Sequence, residues 1–134
     1  MGHPDDADGD AMKFLCLVYG DEKTLQEMPF DECVEYDEKI RKSGQCVASE
    51  ALQPTRTGAT VRVRDGKVSI TDGPFMETKE VLAGFYLVEA ADLAEATRIA
   101  AGIPPARVGS IEVRPIRPLR DMVRERREAE EVGR

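Results

Sequence analysis

Residues 61–75, VRVRDGKVSITDGPF, contain the pattern on which the fold of this chain depends. On both sides of Asp65-Gly66, branched apolar residues alternate with arginine, serine or threonine. Strict alternation is typical of β-strands, and Asp-Gly is a favoured two-residue turn between them. The stretch therefore predicts a β-hairpin over residues 59–71 with one apolar face and one polar face. The apolar positions are Val61, Val63, Val68 and Ile70.

The sequence before the hairpin predicts a strand, a helix and a second strand. Residues 13–20, KFLCLVYG, form a short apolar run with the length of a buried strand. Between Pro29 and Gly44, an acidic first turn, a basic last turn and helically spaced apolar residues predict a helix. Residues 45–53, QCVASEALQ, then predict a strand. The helically spaced residues are Cys33, Tyr36 and Ile40.

The sequence after the hairpin predicts a strand, a helix and a last strand. Residues 84–90, GFYLVEA, are aromatic and branched, as in a strand. Asp92 and Glu95 form a capping-box-like pair that begins a helix, and Gly102 with the following prolines ends it. Residues 110–116, SIEVRPI, predict the last strand. The apolar face of the helix consists of Leu93, Ala96, Ala100 and Ile103.

The resulting order, β-α-β-(hairpin)-β-α-β, predicts an α+β protein with a ferredoxin-like arrangement and both helices on one face of the sheet. The other face would then carry valine, isoleucine, leucine and phenylalanine side chains. Such a face is not stable in water, so we expect two copies to pack face to face as a homodimer.

The composition is that of an ordinary globular domain. The chain has 134 residues, of which 41% are hydrophobic and 34% charged. The net charge of −7, from 26 acidic and 19 basic residues, argues against binding to a nucleic-acid backbone. No apolar run approaches the roughly 18 residues of a membrane span, so no membrane partner is expected.

The cysteines and the N-terminal residues indicate the compartment. The three cysteines, Cys16, Cys33 and Cys46, have no CxxC spacing and are expected to be small buried hydrophobic residues in a reducing environment. The first residues lack the basic region and apolar stretch of a signal peptide. We therefore expect a cytoplasmic protein.

The chain divides into three parts. Residues 1–11 are expected to form a disordered acidic tail, which contains His3, the single histidine of the chain. Residues 12–117 are expected to form the folded domain, which then has no histidine for chemistry. Residues 118–134 are expected to form a charged C-terminal helical extension, because arginines there are matched by acidic residues.

The segment Asp72-Gly73-Pro74-Phe75 predicts a sharp turn after the hairpin. Pro74 fixes φ and has no N–H group to donate. The carboxylate of Asp72 is therefore expected to accept from the amide of Phe75 or Met76 and to cap the turn. Phe75 is the expected apolar anchor.

The nine residues 72–80, DGPFMETKE, lie between the hairpin and the aromatic strand, and here the chain resembles the YCII-related family, in particular its DGPF branch. The similarity extends over roughly residues 12–117. It implies a ferredoxin-like fold that dimerises as an α+β barrel with a cleft. It also implies a largely uncharacterised family whose members are often encoded beside extracytoplasmic-function sigma factors.

Two departures from the family pattern bear on function. Enzyme-like members of the wider family are associated with a His-Asp pair, and the expected folded domain has no histidine. The second departure is Ser49, which stands where the family has glycine before the glutamate, here Glu50.

Four residues are candidates for a ligand-binding cleft: Glu50, Asp72, Lys79 and Tyr86. Glu50 is expected to share a strand face with Cys46, Ala48 and Leu52. A carboxylate among apolar residues either pairs with a cation, here Lys79 or Arg114, or lines a polar pocket. Asp72 is either a general acid or base or the turn cap.

Lys79 and Tyr86 each have two interpretations. Lys79 is either a ligand-binding cation or part of a charged surface turn. Tyr86 either lines the cleft or is a strand residue whose hydroxyl reaches a wet edge.

Three functions remain open. The first is a dimeric small-molecule-binding or accessory protein whose ligand is small and polar. The second is an enzyme in which Glu50 and Asp72 act as a paired acid and base on a small molecule. The third is a protein-interaction module that binds a sigma factor through the C-terminal helix. No nucleotide motif or metal-ligand spacing occurs, so we expect neither a cofactor nor a metal.

Overall fold

The computed structural model of the chain describes residues 12–133. The predicted disordered tail, residues 1–11, lies outside this part of the chain. The described residues have the predicted α+β fold, in which helices pack on one face of a four-stranded sheet. Within them, no helix has the length and apolar character needed to cross a membrane.

The predicted strands and long helices are all present, in the predicted order. The strands are β1 (Met12–Asp21), β2 (Cys46–Ala51), β3 (Ala59–Arg64), β4 (Lys67–Asp72), β5 (Glu80–Ala90) and β6 (Ser110–Pro115). The α-helices are α1 (Glu22–Gln26), α2 (Phe30–Lys42), α3 (Leu93–Ala101) and α4 (Leu119–Val132). The sequence pattern did not show α1, since its five residues are too few for a helical repeat.

The main sheet has the strand order β2-β5-β1-β6, and every neighbouring pair is antiparallel. Strands β1 and β2, which α2 connects, lie on either side of β5. Strands β5 and β6, which α3 connects, lie on either side of β1. Two β-α-β units are therefore interleaved, while β3 and β4 form a separate two-stranded sheet.

The hydrophobic core lies between the main sheet and the helices α2 and α3. Phe14 and Val88 are opposite each other on β1 and β5, so both point to this face. Small side chains on α3 bring its backbone close to the sheet. Leu93, expected in this core, is instead half exposed at the first turn of α3. The core residues are Phe14, Cys16, Val18, Val88, Ala90, Ala96, Ala100 and Ile103.

The opposite face of the main sheet is also apolar. Leu15 is opposite Leu87, and Leu17 is opposite Phe85, so these four side chains point away from the core. Helices α2 and α3 pack on the other face and do not cover them. In the described part of the chain, α2 and α3 therefore leave this apolar face uncovered, as the sequence predicts, and its four side chains are only partly buried.

The hairpin β3-β4 has the predicted turn. Asp65 has φ 53° and Gly66 has φ 76°, and two consecutive positive values are typical of a type I′ turn. The apolar face of the hairpin is not buried by the rest of residues 12–133, because its four apolar residues are 55–67% exposed.

The turn after the hairpin differs from the prediction. Gly73 has φ +93°, its N–H donates to the carbonyl of Gly58 over 2.8 Å, and its own carbonyl accepts from the Thr60 hydroxyl over 3.0 Å. Among the described residues, Asp72 caps neither of the following amides. It pairs with Ala59 as the last residue of β4, so its side chain follows the strand alternation. The predicted cap is therefore wrong.

Phe75 is likewise not the predicted apolar anchor in this chain. Its side chain is 65% exposed, and the guanidinium carbon of Arg62 lies 5.0 Å from the centroid of its ring. Arginine on the polar face of the hairpin thus positions the phenylalanine by a cation–π contact.

The C-terminal helix α4 has the predicted charged surface. Arg124 lies 3.3 Å from Asp121 and 3.9 Å from Glu128, and Arg117 pairs with Glu125. The helix also exposes an apolar side, with Leu119 77% exposed.

Candidate functional site

A groove of about 530 Å³ lies between helix α2 and the strands β2 and β5. Its wall is mostly apolar. Phe30 and Val34 contribute from α2, Leu52 from the residue after β2, and Met28 from the connection between α1 and α2. Three of these side chains, Phe30, Val34 and Leu52, are about half exposed. The groove thus combines the size and the apolar surface of a small-molecule site.

A polar cluster of Asp37, Arg41 and Ser49 lies in this groove. Asp37 and Arg41 are one helical turn apart, and Arg41 Nε donates to Asp37 Oδ2 over 2.9 Å. Arg41 Nη2 donates to the carbonyl of Ser49 over 2.9 Å and to its Oγ over 2.7 Å. The Ser49 hydroxyl in turn donates to Asp37 Oδ1. The three residues therefore form a closed network that fixes α2 on β2.

Two tyrosines extend the site toward the core. The rings of Tyr36 and Tyr86 meet edge to face, with centroids 5.6 Å apart and an interplanar angle of 82°. Burial raises the pKa of Tyr36 to about 12. Burial also raises the pKa of Tyr86, and the negative charge of Asp37 adds to the effect. Both phenols therefore remain protonated near neutral pH.

Glu50 borders the groove, but its surroundings differ from the prediction. It is opposite Phe85 on β5 and shares the open face with Ala48, but not with Cys46, which is opposite Val88. The cause is an irregularity between Cys46 and Ala48, which shifts the alternation by one residue.

The predicted cation partners of Glu50 are not in place. Within residues 12–133, neither Lys79 nor Arg114 forms an ion pair with Glu50, and Arg114 instead lies 3.8 Å from Glu112. Of the two interpretations of Glu50, the one compatible with this geometry is a carboxylate at the border of a pocket.

The four predicted ligand-binding residues do not line one common cleft in a single chain. Glu50 and Tyr86 line the groove. Lys79 lines a separate depression together with Asp21, Thr24 and Val108, and Asp72 is exposed at the end of the hairpin. A common cleft of all four, and the acid–base pair of Glu50 with Asp72, stay predictions that require a second copy to bring the residues together.

Sequence reasoning missed Asp37 and Arg41. The sequence pattern uses Arg41 only as part of the basic last turn of the helix and assigns no role to Asp37. The available signal was their spacing of four residues, which places both on the helix face that contacts β2. Ser49 had been noted as a departure from the family pattern, without a partner for its hydroxyl.

Burial works against thiolate formation at two of the three cysteines, Cys16 and Cys33. Cys16 is fully buried, and burial raises its thiol pKa to about 11. Burial also raises the pKa of Cys33, which borders the groove and is only partly buried, as is Cys46. Among the described residues, no three His, Cys, Asp or Glu side chains stand close enough to hold a metal ion.

Comparison with known proteins places the chain in a family. The family model of the YCII-related domain matches residues 12–120. An uncharacterised protein of Rhizobium meliloti (strain 1021) is 36% identical over 114 residues, which cover 78% of this chain and 92% of that protein. The predicted resemblance is confirmed, and the chain belongs to the YCII-related family.

Proposed function

We propose that this protein binds a small molecule in the groove between α2 and the strands β2 and β5. The observation that carries the proposal is the presence of a closed polar network, Asp37–Arg41–Ser49, inside a largely apolar groove of about 530 Å³. Buried or half-buried polar groups at one point of an apolar pocket orient a ligand and provide specificity.

The ligand-binding unit in this proposal is a homodimer with the ferredoxin-like barrel arrangement. The support is the open apolar face of the main sheet, with Leu15, Leu17, Phe85 and Leu87, together with the strand order β2-β5-β1-β6. A second copy packed on this face would remove these side chains from water. Burial of apolar surface contributes roughly 25 cal/mol per Å².

The groove is tested by filling it. Val34 lines the groove and is half exposed on α2, so Val34→Trp places an indole inside the groove at little cost to the fold. Glu35→Trp is the matched control, since Glu35 is the next residue of the helix, is exposed and does not line the groove. The chain has no natural tryptophan, which makes each new indole a specific fluorescent reporter.

Small aromatic fragments are expected to shift the amide NMR signals of groove residues in the wild-type protein. Val34→Trp should weaken this binding roughly tenfold, equivalent to about 1.4 kcal/mol, and Glu35→Trp should leave it unchanged. Unchanged fragment binding in Val34→Trp would exclude the groove as the site.

A protein-interaction role of α4 is a second candidate, favoured by the exposed apolar side of this helix at Leu119 and Val123. Its test is binding to an extracytoplasmic-function sigma factor, measured for the full chain and for residues 1–117. Equal affinities for the two forms would exclude α4 as the interaction site.

A further inference from the structure

The hydrogen-bond donors of the groove show which kind of ligand fits it. A guanidinium group has five N–H donors. Arg41 uses the one on Nε and both on Nη2 for Asp37 and Ser49. The two on Nη1 have no acceptor among residues 12–133. Arg41 lines the groove, and because the network fixes its planar guanidinium group, the position of these two donors is fixed as well.

Tyr86 supplies a further donor in the same groove. Its hydroxyl has no hydrogen-bond partner in the described part of the chain, in contrast to Tyr36, whose hydroxyl donates to the carbonyl of Ile99 over 3.0 Å. The edge-to-face contact with Tyr36 limits rotation of the Tyr86 ring. Since its pKa is raised by burial, the phenol keeps its proton for donation near neutral pH.

The charges around these donors do not favour an anion. The positive charge of Arg41 is already balanced by Asp37 at 2.9 Å. The other charged residues that line the groove, Glu38 and Glu50, are both acidic. A carboxylate or phosphate ligand could accept hydrogen bonds from Arg41 and Tyr86, but the net negative charge of the groove would repel it. The carboxylates of the groove attract an ammonium group, but an ammonium group has no lone pair and therefore accepts no hydrogen bond from Arg41 or Tyr86.

We propose that the groove binds an uncharged carbonyl compound with an apolar body, such as a ketone, an ester or a lactone. Its oxygen accepts hydrogen bonds from Arg41 Nη1 and from the Tyr86 hydroxyl, and its body contacts Phe30, Val34 and Leu52. This inference rests on the proposed function of the groove and specifies the class of ligand.

The test uses four probes that each carry a phenyl ring and differ in the attached group: acetophenone, benzoate, benzylamine and ethylbenzene. Each is titrated into the full chain, and affinity is read from amide NMR shifts at the groove. Acetophenone should bind roughly fivefold more tightly than ethylbenzene, the gain typical of one net hydrogen bond. The ¹³C signal of its carbonyl should also move downfield on binding, because the donors polarise the C=O bond.

Tyr86→Phe should remove most of the preference for acetophenone and leave the affinity for ethylbenzene unchanged. Arg41→Gln is the second variant, since the Arg41 side chain is 47% exposed and its replacement does not open the core. It should reduce the same preference and the carbonyl shift. A purely structural role of either residue would weaken all four probes alike.

The outcomes separate this inference from the proposed function. If benzoate or benzylamine binds most tightly, or if acetophenone shows no advantage over ethylbenzene, the carbonyl class is wrong while the groove remains a binding site. If none of the four probes shifts the groove amides at millimolar concentration, both the inference and the proposed function fail.

Discussion

Ser49 shows how a single buried side chain organises the candidate site. Its hydroxyl donates to Asp37 and accepts from Arg41, and only 5% of the residue is exposed. An Asp–Arg pair on an exposed helix surface contributes only about 0.3–0.5 kcal/mol by itself. The buried hydroxyl connects this pair to β2, so the network orients the guanidinium group toward the groove.

Replacing this hydroxyl should therefore destabilise the protein. We expect Ser49→Ala to lower the free energy of unfolding by roughly 1–3 kcal/mol, because Asp37 and Arg41 each lose a charge-assisted hydrogen bond to the same buried hydroxyl. Ser69→Ala is the matched control, as Ser69 is an exposed strand serine on the hairpin, and should stay within about 0.5 kcal/mol. Urea unfolding measures both, and equal losses would contradict the role of the network.

Because of Cys16, the free energy of unfolding should decrease at alkaline pH. Burial is the main cause that raises its pKa to about 11, from an ordinary value of 9.0. Above pH 9 the unfolded chain releases this proton while the folded chain retains it, so stability should fall as the pH rises from 9 toward 11. The raised pKa values of Tyr36 and Tyr86 act in the same direction.

The measurement is the urea midpoint between pH 7 and pH 10.5, for wild type and for Cys16→Ala. The variant loses packing at every pH, but its midpoint should fall less steeply above pH 9, because only Cys33 and the two tyrosines then contribute to the alkaline loss. Parallel curves for the two proteins would show that Cys16 does not contribute to the alkaline loss.

Residues of the groove differed in how far the sequence could predict them. Tyr86 and Glu50 could be predicted because each places a polar group among the apolar neighbours of a strand. Tyr86 carries a hydroxyl, and Glu50 carries a carboxylate. Asp37 and Arg41 were not, because on a helix surface such a pair is usually solvated. Their role depends on contact with Ser49 on another element, and a sequence pattern does not show that contact.

Two aspartates at or just after the end of a strand, Asp72 and Asp92, were both predicted to cap the next segment of the chain, but in the described part of the chain only Asp92 does so. Asp92 caps α3: its Oδ1 accepts from the Glu95 amide over 2.8 Å, and Glu95 Oε1 accepts from the Ala91 amide over 3.0 Å. This is the predicted capping-box-like pair, with the return bond going to the residue before the N-cap. Asp72, at the end of β4, caps no amide within the described residues.

The two aspartates form a matched pair for a stability measurement. Asp92→Ala should lower the free energy of unfolding by about 1 kcal/mol, the usual cost of losing an N-cap. Asp72→Ala should change it by less than about 0.5 kcal/mol, as at other exposed positions. A larger loss for Asp72→Ala than for Asp92→Ala would restore the structural interpretation of the DGPF segment.

The sequence predicted those structural features whose geometry is set by residues adjacent in the chain. The Asp65-Gly66 turn needs positive φ at two adjacent residues, and the α3 cap needs two side chains within one turn. The irregularity between Cys46 and Ala48 depends instead on pairing with β5 much later in the chain. It placed Cys46 and Glu50 on different faces, and no local signal marks it.

In the molecule as a whole, three apolar surfaces have no partner among residues 12–133. They are the open face of the main sheet around Leu17, the hairpin face around Val61, and the side of α4 around Leu119. An isolated two-stranded hairpin is marginally stable in water, and large exposed apolar patches mark interaction surfaces. The proposed homodimer would supply one kind of partner, a second copy of the chain, for such surfaces.

The proposed face-to-face dimer can be separated from association through α4 by two lysine substitutions. Leu17→Lys puts a charge in the middle of the open face, where a second copy would have to bury it unpaired, so we expect a monomer. Leu119→Lys makes the same change on α4, where Leu119 is 77% exposed, and should leave a dimer. Light scattering after size-exclusion chromatography gives the two masses, and circular dichroism checks that both variants are folded. The opposite result, a monomeric Leu119→Lys and a dimeric Leu17→Lys, would show that α4 forms the contact and that the sheet face has another role.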